Sequence, residues 1–177
     1  MIRGMRDANI LLAREARFRR HLRRVTPALA RLLGGGRAEP NVLAILAVES
    51  FYRPRPLRAL EYVAWATLTL LAPRRTPAIS VGVAQLRLDN WRALGMIDST
   101  RFSPARLRRV RDVGANYEAC RRYLEARGAL HQRDPEQLGG AYAGGQRHHF
   151  APMLREARSG LAVHDEARAR DQALSGE

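Results

Sequence analysis

Apolar residues recur along almost the whole chain at steps of three and four, the period of an α-helix rather than of a strand. Leu11, Phe18, Leu22, Val25, Leu29 and Leu32 form one stripe over residues 7–33, with arginines on the other faces. Gly34-Gly35-Gly36 stops this helix and makes a joint. Pro40 and Asn41 open a second helix that runs to about Ser50. Arg53-Pro54-Arg55-Pro56 breaks it, because proline cannot continue a helix and restricts the residue before it. A third helix, about 57–72, is apolar almost all round, which predicts burial, and Pro73 ends it. Residues 73–82 read as a turn-rich loop and 83–95 as a short helix closed by Gly95. Ser103-Pro104 supplies an N-cap and a first-turn proline. The stripe that follows (Leu107, Val110, Val113, Tyr117, Cys120, Leu124) runs to Gly128, with Gly114 a point at which the helix could divide. A last helical region covers about 135–158, interrupted at Gly144-Gly145. Neither a strand pattern nor an internal repeat stands out.

The expected fold is therefore all-α with minimal β. It divides into a helical arm and glycine joint at 1–36, a main helical domain at 37–158 and a polar, loosely held tail at 159–177. The arm is expected to pack on the main body; a partner-binding or membrane-surface helix is the alternative. A hydrophobic content of 46% over 177 residues excludes disorder of the whole chain. The 31 basic residues are all arginine, against 17 acidic ones, and the net charge is +14. Total exclusion of lysine points to a coding bias, so the arginine count is discounted as evidence for nucleic-acid recognition, although the positive field is real. The lone Cys120 excludes an internal disulfide framework and a cysteine-rich zinc site. The longest apolar stretch, Tyr62 to Ala72, would span roughly 16 Å as a helix, about half a hydrocarbon core, so no transmembrane segment is expected. Arg14, Arg17, Arg19 and Arg20 interrupt any N-terminal signal, so synthesis in a cytoplasm without an ordinary secretory leader is expected.

Glu49 stands out by position. Val42, Ile45, Leu46 and Glu49 lie at i, i+3, i+4 and i+7, so the carboxylate shares a face with core residues. Desolvation and the negative end of its helix would both raise its pKa. A carboxylic acid kept protonated near neutral pH is what general-acid cleavage of a glycosidic bond needs. The alternative is a buried glutamate paired with an arginine.

Further segments bear on that choice. Glu49-Ser50 after an apolar helix, Ser80-Val81-Gly82-Val83-Ala84-Gln85-Leu86, Asn116-Tyr117 followed by Tyr123-Leu124, and Ala141-Tyr142-Ala143-Gly144 occur in that order. Together, over about residues 40–155, they resemble the motifs of soluble lytic transglycosylases in the lysozyme-like superfamily: E-S, S-x-G-x-x-Q, the Asn-containing helix and A-Y-N-x-G. The sequence is a divergent member by this resemblance. Val83-Ala84 stands where the family has Leu-Met, Cys120 where it has Gly, and Ala143 where it has Asn. The stretch from Glu49 to Gln85 is lengthened by the 57–72 helix.

The resemblance implies a lysozyme-like helical domain that cleaves the β-1,4 bond between N-acetylmuramic acid and N-acetylglucosamine. Glu49 would protonate the bridging oxygen and then act as base, the substrate's 6-hydroxyl would attack, and a 1,6-anhydro sugar would leave. Tyr142 would orient the Glu49 carboxyl and Gln85 would contact a sugar amide or hydroxyl. Gly82 would let backbone approach the glycan, Ser80 would fix the loop, and Ser50 would bond nearby backbone. Read without the resemblance, these are a half-buried tyrosine, a surface amide and ordinary turn residues. Trp65, Trp91 and Tyr52 are candidates for sugar stacking, with core packing the alternative. Most glycosidases need a second carboxylate. Glu61 and Asp89 are nearest in sequence, and both are expected to be solvated.

No cofactor and no metal are implied. His148-His149 point about 100° apart on a helix and do not converge on one ion. Cys120 reads as a small buried hydrophobe. Gly139-Gly140 and Gly144-Gly145 follow no strand and make no phosphate loop. The expected partner is the peptidoglycan glycan strand, reached by non-classical export or release through secretion, conjugation or phage lysis machinery. Alternatives are a muramidase that hydrolyses the same bond, an inactive glycan-binding relative, and an arginine-rich nucleic-acid binder. The last would use Arg19-Arg20, Arg23-Arg24, the arginines at 106, 108, 109 and 111, and Arg121-Arg122; solvated helix faces are the simpler account, and no specific nucleic acid is expected.

Overall fold

The computed structural model describes the backbone of residues 2–32, 38–72, 74, 77–143 and 150–175, and their side chains except at 2–13, 30–32 and 163–175. Eight helices and one hairpin occur among the described residues: α1 (Ile2–Leu32), α2 (Pro40–Tyr52), α3 (Arg55–Leu71), β1 (Ser80–Val81), β2 (Leu86–Arg87), α4 (Leu88–Ala93), α5 (Pro104–Arg111), α6 (Val113–Ala126), α7 (Pro135–Ala143) and α8 (Phe150–Ser175). The all-α expectation holds. Leu11 and Leu32 of the first stripe, Gly34-Gly35-Gly36, Gly144-Gly145 and His148-His149 fall outside the described side chains or residues.

α2 is the hub. Every residue from Asn41 to Glu49 is buried, so this helix must be surrounded on all sides. α1, α6 and α8 surround it. Val42, Ile45, Leu46 and Val48 are wholly buried, each contributing roughly 1.5–3 kcal/mol relative to exposure. The start of α2 is tied down by polar groups. Asn41 Nδ2 donates to the Leu130 and Gln132 carbonyls at 2.8 and 2.9 Å, and the Glu39 amide donates to the Tyr117 hydroxyl at 2.8 Å. The arm packs on the body as expected, through buried Phe18, Leu22 and Leu29.

α3 departs from expectation. Composition predicts burial, yet only Trp65 on this helix is buried. Its inward stripe is Arg58, Tyr62, Trp65 and Thr69, and two of these anchor it: Trp65 Nε1 donates to the Thr100 carbonyl at 2.7 Å, and Thr69 Oγ1 accepts from the Phe102 amide at 3.0 Å. The leucines face outward.

Residues 83–87 also depart. They were expected to begin a helix but form the turn and second strand of an antiparallel hairpin, with Ser80 opposite Arg87 and Val81 opposite Leu86. α5 has the expected cap, Ser103 Oγ accepting from the Arg106 amide at 3.3 Å. α6 begins because Asp112 caps it, its Oδ1 accepting from the Ala115 amide at 2.7 Å. The division falls at Asp112 rather than at Gly114. The tail does not start at 159: α8 runs through it, and Leu161 is buried.

Candidate active site

Glu49 lies in the last turn of α2, where its backbone carbonyl accepts from the Arg53 amide at 2.9 Å. Its side chain is 3% exposed. Cys120 of α6 lies near enough that the Glu49 charge, after burial itself, helps push the thiol far up from its ordinary value. Ser50, one residue on, is half-buried. Its hydroxyl donates to the Ala47 carbonyl at 2.8 Å and lies 2.8 Å from His21 Nε2. With the serine proton on Ala47, the histidine nitrogen is the donor. Burial first, then Arg24 and Arg58, holds His21 below its ordinary range, so it is neutral at pH 7.

The hairpin turn is Gly82-Val83-Ala84-Gln85. Asn116, fully buried on α6, organises it. Asn116 Nδ2 donates to the Val110 and Asp112 carbonyls at 2.8 and 2.7 Å, and its Oδ1 accepts from the Ala84 amide at 3.1 Å. Gly82 has φ +79°, and a Cβ there would lie 2.1 Å from Asn116 Oδ1 and 2.8 Å from the Val110 carbonyl. Glycine is thus required by close approach to Asn116, whereas the sequence pointed to close approach of a glycan. Gln85 holds a left-handed backbone, φ +52°, a conformation rare outside glycine. Its Nε2 donates to Glu61 Oε2 and to the Gly82 carbonyl, both at 2.9 Å. Both amide protons are committed, and Oε1 remains to accept. Ser80 sits in β1 opposite Arg87.

Tyr142, buried on α7, reaches the same turn. Its hydroxyl donates to the Ala84 carbonyl, and its ring meets Tyr123 edge-on at 5.8 Å and stacks on Phe150 at 6.2 Å. Trp65 and Trp91 are wholly buried, so neither stacks on a sugar. Tyr52 is half-buried, stacks on Phe150 at 6.4 Å and accepts from Arg14 Nη2 at 2.6 Å.

A cleft of about 1110 Å³ opens beside this cluster. Ser50, Tyr62 and Val83 line it, with His21, Arg24, Arg55, Arg58 and Arg111. Glu49 is not part of the wall. Arg58 is half-buried, and desolvation lowers its guanidinium pKa. Sequence reasoning did not single out Arg58 or Tyr62. Apart from the i, i+4 spacing of the two on α3, no signal marks them.

The acids expected to be solvated separate. Asp89 is exposed and pairs with Arg87 at 3.0 Å. Glu61 is 16% exposed in its side chain, bonds Gln85 and lies 3.4 Å from Arg53. It belongs to the site's surroundings, which corrects the expectation. Among the described residues no group of three or more histidine, cysteine, aspartate or glutamate side chains gathers as a metal site would require. No family model matches this chain, and no curated protein or solved structure matches it either.

Proposed function

We propose that the helical body from α2 through α8 is a lysozyme-like domain that cleaves the β-1,4 bond between N-acetylmuramic acid and N-acetylglucosamine of peptidoglycan, as a lytic transglycosylase. One observation carries the reading: three of the four motifs, far apart in sequence, meet at the hairpin turn, and the fourth, Glu49, lies beside the Asn116 helix at Cys120. Tyr142 bonds the Ala84 carbonyl, the Ala84 amide bonds Asn116, and Glu49 neighbours Cys120 one turn along the Asn116 helix. Such a meeting is not required by a helical core, which could have scattered them.

The chemistry follows from the partners. The Tyr142 hydroxyl has one proton, and Ala84 takes it. A carboxyl that meets the Tyr142 hydroxyl must then donate to it, as Glu49 would in its protonated form. Burial and the helix C-terminus favour the same form. Glu49 gives its proton to the bridging oxygen as the glycosidic C–O bond breaks. The 6-hydroxyl oxygen forms the new bond to that carbon, and its proton returns to Glu49. Gln85 Oε1 accepts from a sugar amide or hydroxyl. Because Glu49 is 3% exposed and does not line the cleft, this chemistry requires the Ser50 side of the cleft to open for the glycan to reach it. The cleft arginines Arg24, Arg55, Arg58 and Arg111 attract the carboxylates of wall peptides, so activity falls with salt.

Purified protein should solubilise bacterial sacculi and release anhydro-muropeptides, read by mass spectrometry. Glu49→Gln should lower release by about 10²–10⁴-fold with the fold intact. Equal inertness of wild type and Glu49→Gln would overturn the reading. A second reading, hydrolysis, is favoured by one feature: Glu61 is a second sheltered carboxylate at the turn. Reducing-end products that vanish in Glu61→Gln would establish it. Nucleic-acid binding is disfavoured because Arg19, Arg106, Arg121 and Arg122 of the basic clusters are paired with acids within the chain.

A further inference from the structure

We propose that the outward face of α3 docks onto an anionic lipid bilayer. Leu57, Leu60, Val63, Leu68, Leu70 and Leu71 are exposed, and every exposed large hydrophobic side chain among the described residues is on this helix. Leu60, Val63, Leu70 and Leu71 are 64%, 62%, 79% and 78% exposed. At 100° per residue the six cover an arc of about 160°, opposite the Arg58, Tyr62, Trp65 and Thr69 stripe. Soluble chains do not concentrate apolar surface in this way without a use for it.

Charge selects the occupant. Arg53 flanks the face at its N-terminal end and Arg74 at its C-terminal end, and both are exposed. Glu61, the one acid of α3, is turned inward to Gln85 and Arg53. An apolar face bounded by arginines with no exposed acid is the pattern of a helix lying in a headgroup layer. A second copy of the chain would bring +14 against +14, whereas anionic lipid complements it. No helix among the described residues is long and apolar enough to cross a membrane, so α3 lies on the surface rather than spanning it. The inward anchors at Trp65–Thr100 and Thr69–Phe102 let it dock without leaving the body. The inference is independent of the glycan reading.

The test is co-sedimentation of the full chain with vesicles of phosphatidylglycerol and phosphatidylethanolamine, against vesicles of phosphatidylcholine alone. Wild type should sediment with the first and not the second. A Leu60→Glu/Leu70→Glu double variant should lose at least about tenfold in vesicle partition, since two leucines that enter the headgroup layer become two charges facing an anionic surface. Its helix content and urea midpoint should match wild type, because both positions are exposed. An environment-sensitive fluorophore on Leu70→Cys should shift to the blue with phosphatidylglycerol vesicles; buried Cys120 stays unlabelled in the native protein. Equal binding of wild type and double variant would reduce the effect to charge attraction and overturn the proposal. So would sedimentation without a shift at position 70. A wild-type dimer that the double variant converts to monomer, without vesicle binding, would assign the face to a second copy instead.

Discussion

Replacing Gly82 by alanine tests how the candidate site is held. Two costs can be worked out. The backbone at φ +79° is left-handed, where a Cβ costs about 1–2 kcal/mol. The new Cβ would also lie 2.1 Å from Asn116 Oδ1, and ordinary contact begins near 3.4 Å, so the amide must retreat by more than 1 Å. Asn116 is fully buried and gripped through Nδ2 by two carbonyls. Its retreat therefore breaks the Ala84 bond and leaves a buried amide unpaired, at about 1–3 kcal/mol. The sum is about 2–5 kcal/mol, a large share of the 5–15 kcal/mol that typically separates folded from unfolded chains. Urea unfolding followed by circular dichroism measures it. A double-mutant cycle isolates the Asn116 clash: once Asn116→Ala removes Oδ1, Gly82→Ala should cost only the left-handed backbone and the remaining 2.8 Å approach to the Val110 carbonyl. The coupling should be at least about 1 kcal/mol. A Gly82→Ala variant within about 0.5 kcal/mol of wild type, or additive costs in the cycle, would refute the account of the turn.

The two buried tryptophans should respond differently to shortening. Trp65→Phe leaves the Thr100 carbonyl without its donor, whereas Trp91 Nε1 has no hydrogen-bond partner among the described residues, so Trp91→Phe should cost at least about 1 kcal/mol less by urea midpoint. Cys120 should resist thiol reagents in the native state and react at the rate of global unfolding; fast labelling in buffer would contradict its burial. The hydrogen bond from Arg121, then that from Arg122, holds the Glu118 carboxyl down at about 2 from 4.5. A depressed carboxylate stabilises the fold above pH 4.5 and loses that contribution as pH falls toward 2. Glu118→Gln should therefore cost no more than about 1 kcal/mol at pH 7 and flatten part of the acid limb of stability. An equal loss at every pH would show that packing, not charge, is at stake.

The sequence made most helices legible because their signals are local. The Ser103 cap, Pro104, and the closing glycines Gly95 and Gly128, both at positive φ, act through backbone chemistry within one turn. Glu49 was legible because its periodicity sets it among core residues. The hairpin was not: strands of two residues each carry no alternation to read. Nor was the orientation of α3, since apolar residues run almost all round it and the choice is made by Trp65 and Thr69 finding partners at Thr100 and Phe102. Glu61 was misread for the same reason. Its shelter comes from Gln85 and Arg53, which composition near Glu61 does not disclose.

Tyr142 and Ala84 are 58 residues apart. A ribosome adding about 5–20 residues per second needs roughly 3–12 s to deliver the second after the first. Through that interval the nascent turn lacks its Tyr142 donor, although Asn116 arrives earlier. The candidate site therefore cannot be complete until Tyr142 has been made.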